Sequence, residues 1–253
     1  MSPIVAHAVA KVNLMLNILG KTDDGYHKIE SVFFFLDDIY DVLKFNMHEE
    51  FNDKSGYIKS IPNLKNFIRV AYQILKKHFP SRYIPDVTVT KNLPIEGGVG
   101  GGSSDAACFI NTVFDLWNLS PGEKMDYIDI FEELGTDTKV FLFKYFTNSR
   151  AIYWLGSRKG VLEQINLELP CGSILLVSNK KKLSTKLVYN SFQGPYCKEA
   201  GIKNFHFHNS LQDTAIKLEP SLGDVLANIE STNPVFCGVS GSGPTCFGYY
   251  DIP

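Results

Sequence analysis

The sequence has few cysteines, no long apolar run, no excess of charge and no lysine-bearing nucleotide loop, and each shortage removes a class of protein. Its five cysteines (Cys108, Cys171, Cys197, Cys237, Cys246) are irregularly spaced, and none forms a C-x-x-C pair. An odd, scattered set indicates neither a zinc site nor a disulfide framework, so the thiols are expected to be reduced and buried. His206 and His208 alternate as strand neighbours would, without a third ligand nearby, and read as structural; no metal-binding residue is assigned. A formal net charge of −2 gives no general attraction to nucleic acid or to a membrane surface. No apolar stretch approaches the ~20 residues that span a bilayer. The start of the chain lacks a basic segment followed by an apolar core. The expectation is a cytoplasmic protein, a monomer or weak homodimer, with a small-molecule partner.

What is present is ordinary for a globular protein: 44% apolar and 21% charged residues, with 18 Phe to fill cores. Alternating Val12, Leu14, Leu16 and Ile18 predict a strand over Val5–Ile18, closed by Gly20 and a polar turn. Further strands are expected at Ser31–Leu36, Asp41–Met47, Asp86–Lys91, Ala151–Leu155 and Ser173–Val177. Helical spacing of apolar residues predicts helices over Leu64–Phe79, Ser104–Leu119, Ser120–Leu134 and Leu222–Ser231. Ser120, Pro121 and Glu123 have the order of a capping box. Strands and helices mix without βαβα regularity, which favours an α+β fold, with a second half beginning near Arg150.

The segment that carries chemistry is Pro94-Ile95-Glu96-Gly97-Gly98-Val99-Gly100-Gly101-Gly102-Ser103-Ser104, between a predicted strand and a predicted helix. Its five glycines permit positive φ and present no Cβ to an approaching ligand. The helix expected from Ser104 begins with free N–H groups and a partial positive charge. Together these make an anion site, for which a phosphate chain is the natural occupant, and Ser103 and Ser104 can add hydroxyl donors. The loop is not a Walker A motif, because no Gly-Lys-Ser/Thr follows. A second cluster, Gly238-Val239-Ser240-Gly241-Ser242-Gly243-Pro244-Thr245, reads alone as a tight turn between strands, and beside the first loop as a second backbone-rich anion site.

Ala10-Lys11-Val12-Asn13-Leu14, the Pro94–Ser104 loop and Val239–Phe247 resemble, in order, the three motifs of the GHMP kinases. The resemblance implies a two-lobed α+β GHMP kinase fold. Its N-terminal ATP-binding lobe, over 1–149, is like ribosomal protein S5 domain 2, and its C-terminal lobe, over 150–253, is ferredoxin-like. It implies ATP as phosphoryl donor, with Mg²⁺ carried by the nucleotide. Within the family, Asp24-Gly25-Tyr26-His27 resembles the branch whose acceptor has a cytidine diphosphate moiety, phosphorylated on the 2-hydroxyl of its methylerythritol unit in non-mevalonate isoprenoid synthesis.

By the same resemblance, Lys11 and Asp137 take catalytic roles. Pro94, Gly97, Gly98, Gly100, Gly101, Gly102, Ser103, Ser104, Asn66 and Lys91 serve the nucleotide. Asn13, Tyr26, His27, Tyr189, Gly241, Ser242 and Gly243 serve the acceptor. Around Asp137 this chain departs from the family: Thr136, Thr138 and Lys139 replace Ala, Val and Pro, which leaves the local helix start open. The alternatives are another GHMP kinase, acting on homoserine, mevalonate or a sugar, or a nucleotide-binding regulator without catalysis.

Overall fold

The computed structural model describes residues 3–51, 66–157, 160–167, 172–178 and 181–251. In chain order the elements are β1 (Ile4–Lys21), β2 (His27–Glu50), α1 (Phe67–His78), β3 (Pro85–Thr90), α2 (Gly101–Leu116), α3 (Pro121–Asp126), a 3-10 stretch (Ile128–Leu134) and α4 (Thr136–Thr147). They continue with β4 (Ala151–Gly156), β5 (Gly160–Gln164), β6 (Gly172–Ser178), α5 (Thr185–Ser191), a 3-10 turn (Ile202–Asn204), β7 (His208–Asn209), α6 (Gln212–Leu218), α7 (Ser221–Glu230), β8 (Phe236–Val239) and β9 (Thr245–Asp251). Two compact units result. The first comprises Met1–Ala10, Leu36–Leu93 and Gly100–Ser149, and the second Lys11–Phe35, Pro94–Val99 and Arg150–Pro253.

In the first unit, the later half of β2 pairs antiparallel with β3, Val42 opposite Thr90. Helices α1, α2 and α4 supply the core, where Phe114 meets the rings of Phe79, Phe131 and Phe146 and Phe45 stacks on Phe109. Aromatic pairs at such distances add about 0.5–1.5 kcal/mol each beyond burial. α2 is buried over most of its surface, Ala106 and Ala107 included, so it is an internal helix rather than an amphipathic surface one.

In the second unit, the earlier half of β2 pairs antiparallel with β4, and β4 with β5, while β7 runs parallel to β1. A separate antiparallel sheet has the order β6-β9-β8 among the described residues. One face of it packs Val239 and Cys246 with Leu222, Leu226 and Ile229 of α7.

Several boundaries differ from expectation. The strands expected at Ser31–Leu36 and Asp41–Met47 are parts of one strand, in which Asp37 and Asp38 are exposed. The helix expected over Ser120–Leu134 is α3 followed by the 3-10 stretch, although its capping box forms as expected. Helix α1 starts at Phe67; residues 64–65 of the expected helix, like Cys171, lie outside the described residues. The most consequential difference is α2, which starts at Gly101 rather than Ser104. Gly100 enters it with φ 74°, a conformation open to glycine and costly for other residues.

Candidate active site

Lys11 and Asn13 sit two residues apart on β1, hence on the same face of the strand. Both are buried, at 3% exposure. The Lys11 ammonium donates to Asn13 Oδ1 at 2.5 Å and to Gly98 O at 3.0 Å. Asn13 in turn donates through Nδ2 to Ser31 Oγ at 2.9 Å, and Ser31 donates to Met15 O at 2.6 Å. This chain fixes the amide so that its oxygen faces the lysine. A buried ammonium is tolerated only with such partners.

The glycine-rich turn after β8 closes on the same carbonyl. Ser240 Oγ donates to Gly98 O at 3.0 Å, and Thr245 N donates to Gly97 O at 3.1 Å. A Cβ on Gly98 would lie 2.4 Å from Ser240 O and 2.8 Å from Gly243 O, at φ +77°. Only glycine fits there. At Gly241 (φ +58°) a Cβ would come within 3.2 Å of Asn13 Oδ1 and 3.3 Å of Lys11 Nζ. Within the second unit, then, Lys11, Asn13, Gly97, Gly98, Gly241 and Gly243 form one constellation. Pro94 belongs to it as the wall against Gly97, whose Cβ would lie 2.6 Å from Pro94 Cγ. Ser242 donates to Thr185 Oγ1 at 3.0 Å, which joins the turn to α5.

Two supports of this site carry no signal in the sequence. Asn209 on β7 donates to Val239 O at 2.7 Å and Gly241 O at 2.8 Å, and Gln212 Oε1 accepts from Val239 N at 3.0 Å. Neither stands in a motif, and a two-residue parallel strand has no periodicity to detect.

The hairpin turn between β1 and β2 carries the aromatic pair. Asp24 bonds Thr22 and accepts from Tyr26 N, so it shapes the turn. Tyr26 is left 51% exposed. The His27 ring lies 5.4 Å from Tyr189 and 6.1 Å, edge-on, from Phe192, which sequence reasoning missed. Its Nε2 is buried with no hydrogen-bond partner, a costly state that a ligand's polar edge would relieve. Burial first, and then the nearby Lys21 charge, hold His27 below the usual imidazole range.

Behind the pair, the fully buried Glu30 accepts from Asn17, Tyr153 and the N–H groups of Ala200 and Gly201, at 2.6–3.1 Å. Burial alone would raise its pKa; these bonds outweigh burial and lower it.

The first unit holds the other expected residues. No side chain caps α2, so the N–H groups of Gly101, Gly102 and Ser103 begin it without an intrahelical acceptor. Ser104 N already donates to Gly100 O at 2.8 Å, which removes it from the free donors expected at a helix start there. Lys91 bonds the buried carboxylates of Asp41 and Asp105, the latter at 2.7 Å, and Asp41 also accepts from Asn92 N and Leu93 N. Asn66 caps α1 through Oδ1, while its buried Nδ2 has no partner.

Asp137 stands half-buried in the first turn of α4, where a carboxylate interacts favourably with the helix's partial charge. The substitutions around it do not disturb the helix. Thr138 Oγ1 donates to Leu134 O, Lys139 Nζ to Asp129, and Lys139 N to Gly135 O, a bond that proline could not make. Among the described residues no group of three or more His, Cys, Asp or Glu side chains is placed to hold a metal ion, and no helix is long and apolar enough to cross a membrane.

Residues 66–143 match the family model of the GHMP kinases N terminal domain. A 4-diphosphocytidyl-2-C-methyl-D-erythritol kinase from Ehrlichia canis (strain Jake) is 30% identical over 99% of this chain and 90% of its own length. The chain belongs to that kinase family. A protein of the same name from Ruegeria pomeroyi is 30% identical over 98% of this chain and 88% of its own. In fold, this kinase matches a crystal structure of 4-(cytidine 5'-diphospho)-2C-methyl-D-erythritol kinase with TM-score 0.76 and 24% identity, covering 97% of this chain and 89% of the other. A homoserine kinase from Cytophaga hutchinsonii follows at TM-score 0.65 and 14% identity, covering 98% and 85%. The kinase is thus an ATP-dependent phosphotransferase of small molecules with the α+β GHMP architecture.

Proposed function

We propose that this kinase transfers the γ-phosphoryl group of ATP to the 2-hydroxyl of 4-diphosphocytidyl-2-C-methyl-D-erythritol, a step of the non-mevalonate route to isoprenoid precursors, in the cytoplasm. The observation that carries the choice of acceptor is the buried, unpartnered His27 Nε2 among aromatic rings. A pyrimidine supplies both a face to stack and a polar edge for that nitrogen, whereas homoserine and mevalonate supply neither.

In this reading Tyr26 and Tyr189 stack on the base, while Asn13 and the Gly241–Gly243 turn hold the acceptor. Gly97–Ser103 binds the nucleotide phosphates through backbone N–H groups, with Ser104 behind them in the same turn, and Asn66 offers its unpartnered Nδ2 to the nucleotide. Asp137 orients the acceptor hydroxyl and accepts its proton as the oxygen attacks phosphorus. Lys11 places positive charge by the developing alkoxide and phosphoryl oxygens. Mg²⁺ carried by ATP would supply charge neutralisation to the transferred group. We read 1–149 as the ATP-binding lobe and 150–253 as the C-terminal lobe.

ADP release measured with each candidate acceptor tests the assignment. Turnover of the cytidyl substrate alone is expected; turnover of homoserine or mevalonate in its place would overturn it.

A further inference from the structure

Tyr145, on α4, puts its phenol oxygen at the meeting point of three hydrogen-bond contacts in the first unit. Val9 N donates to it at 3.1 Å, it donates to His7 O at 3.1 Å, and Ser104 Oγ lies 3.2 Å away. A phenol has one proton, and its oxygen can accept from two directions. With the proton on His7 O and one acceptor position taken by Val9 N, Ser104 meets the remaining lone pair, so the serine is the donor. Burial raises the phenol pKa well above its ordinary value, so the hydroxyl keeps its proton throughout the working range.

Ser104 therefore directs its hydroxyl proton inward, and its N–H is already held by Gly100 O. Ser104 is fully buried with both protons directed away from the start of α2, whereas Ser103 is 8% exposed. We propose that Tyr145 is a positioning residue for phosphate binding. By accepting the Ser104 proton while bound to the backbone of β1, it fixes the first turn of α2, from which Gly101, Gly102 and Ser103 present their N–H groups. The proposal rests on reading that turn as the nucleotide phosphate site.

The test is a double-mutant cycle in the full chain, with Tyr145→Phe, Ser104→Ala and the pair, reading kcat/KM for ATP per folded molecule together with the melting temperature. Tyr145→Phe is expected to lower kcat/KM for ATP about tenfold, the scale of one well-placed hydrogen bond. In the Ser104→Ala background it should add less than about twofold, because the two act as a unit. The melting temperature should fall in both backgrounds, since Val9 N and His7 O lose their partner either way. Equal activity losses in both backgrounds, or no loss in either, would overturn the positioning role. Calorimetry of ATP with the wild-type protein separates the two readings: no binding would remove the phosphate site and this proposal with it, whereas binding with additive mutants would remove the Tyr145 link alone.

Discussion

Lys91 Nζ lies 2.7 Å from Asp105 Oδ2 on α2 and also bonds Asp41 on β2, so a single ammonium joins two fully buried carboxylates. The chain segments flanking the glycine loop, Lys91–Leu93 and Gly101–Asp105, are thereby tied together. Asp41 completes the tie by accepting from the N–H groups of Asn92 and Leu93. Lys91 is in this structure a brace for the loop's stems.

The brace makes a stability prediction. Lys91→Met leaves two buried carboxylates without a cation and should cost about 3–5 kcal/mol, the range for breaking a buried ion pair. Lys91→Arg, which keeps a cation, should lose much less. Urea unfolding measures both, and a Lys91→Met midpoint equal to wild type would remove the brace.

Asp137→Asn should leave ATP affinity nearly unchanged while cutting kcat at least about a hundredfold, the scale of acid–base and electrostatic contributions. Calorimetry with ATP and steady-state rates separate the two effects. A near-native kcat would show that Asp137 neither orients nor deprotonates the acceptor.

His27 predicts a pH dependence confined to one substrate. Its folded-state pKa lies below the ordinary imidazole value, so the ring stays neutral to lower pH than a free imidazole, and a contact made by the neutral ring is lost as pH falls through that lower value. The KM of the cytidyl substrate should rise over that descent while the KM of ATP stays level. Tyr26→Ala should weaken the cytidyl substrate far more than ATP at any pH. Parallel changes in both KM values would place the pair elsewhere.

Gly98→Ala should be strongly damaging, because its Cβ would meet two backbone oxygens inside 3.0 Å at a positive φ. Gly122→Ala meets nothing within 4 Å in helix α3 and should stabilise by about 0.5–1 kcal/mol. Thermal melts of the two variants should move in opposite directions.

Much of the site is legible in the residues alone. Lys11 and Asn13 stand at strand spacing in an apolar stretch, and the two glycine clusters announce backbone-lined turns. The start of α2 is not legible, because glycine has poor helix propensity and Gly101 and Gly102 read as loop. Only the left-handed entry at Gly100 and the packing of the helix bring them into its first turn. Phe192, Glu30, Asp41 and Asn209 are invisible for a different reason: each matters through partners distant in sequence, as with Glu30 and Gly201.

By itself the sequence determined the chemistry available: a glycine-lined anion loop, a lysine in an apolar strand, a carboxylate ahead of a helix and an aromatic turn. These follow from local spacing and residue type, which the chain carries wherever it folds. Tertiary structure decided which atoms meet. The carbonyl of Gly98 receives both Lys11 and Ser240, and one phenol oxygen gathers Val9, His7 and Ser104. Hydrogen bonds act over about 3 Å, and contacts between residues 87 or 142 positions apart arise only once the chain has folded.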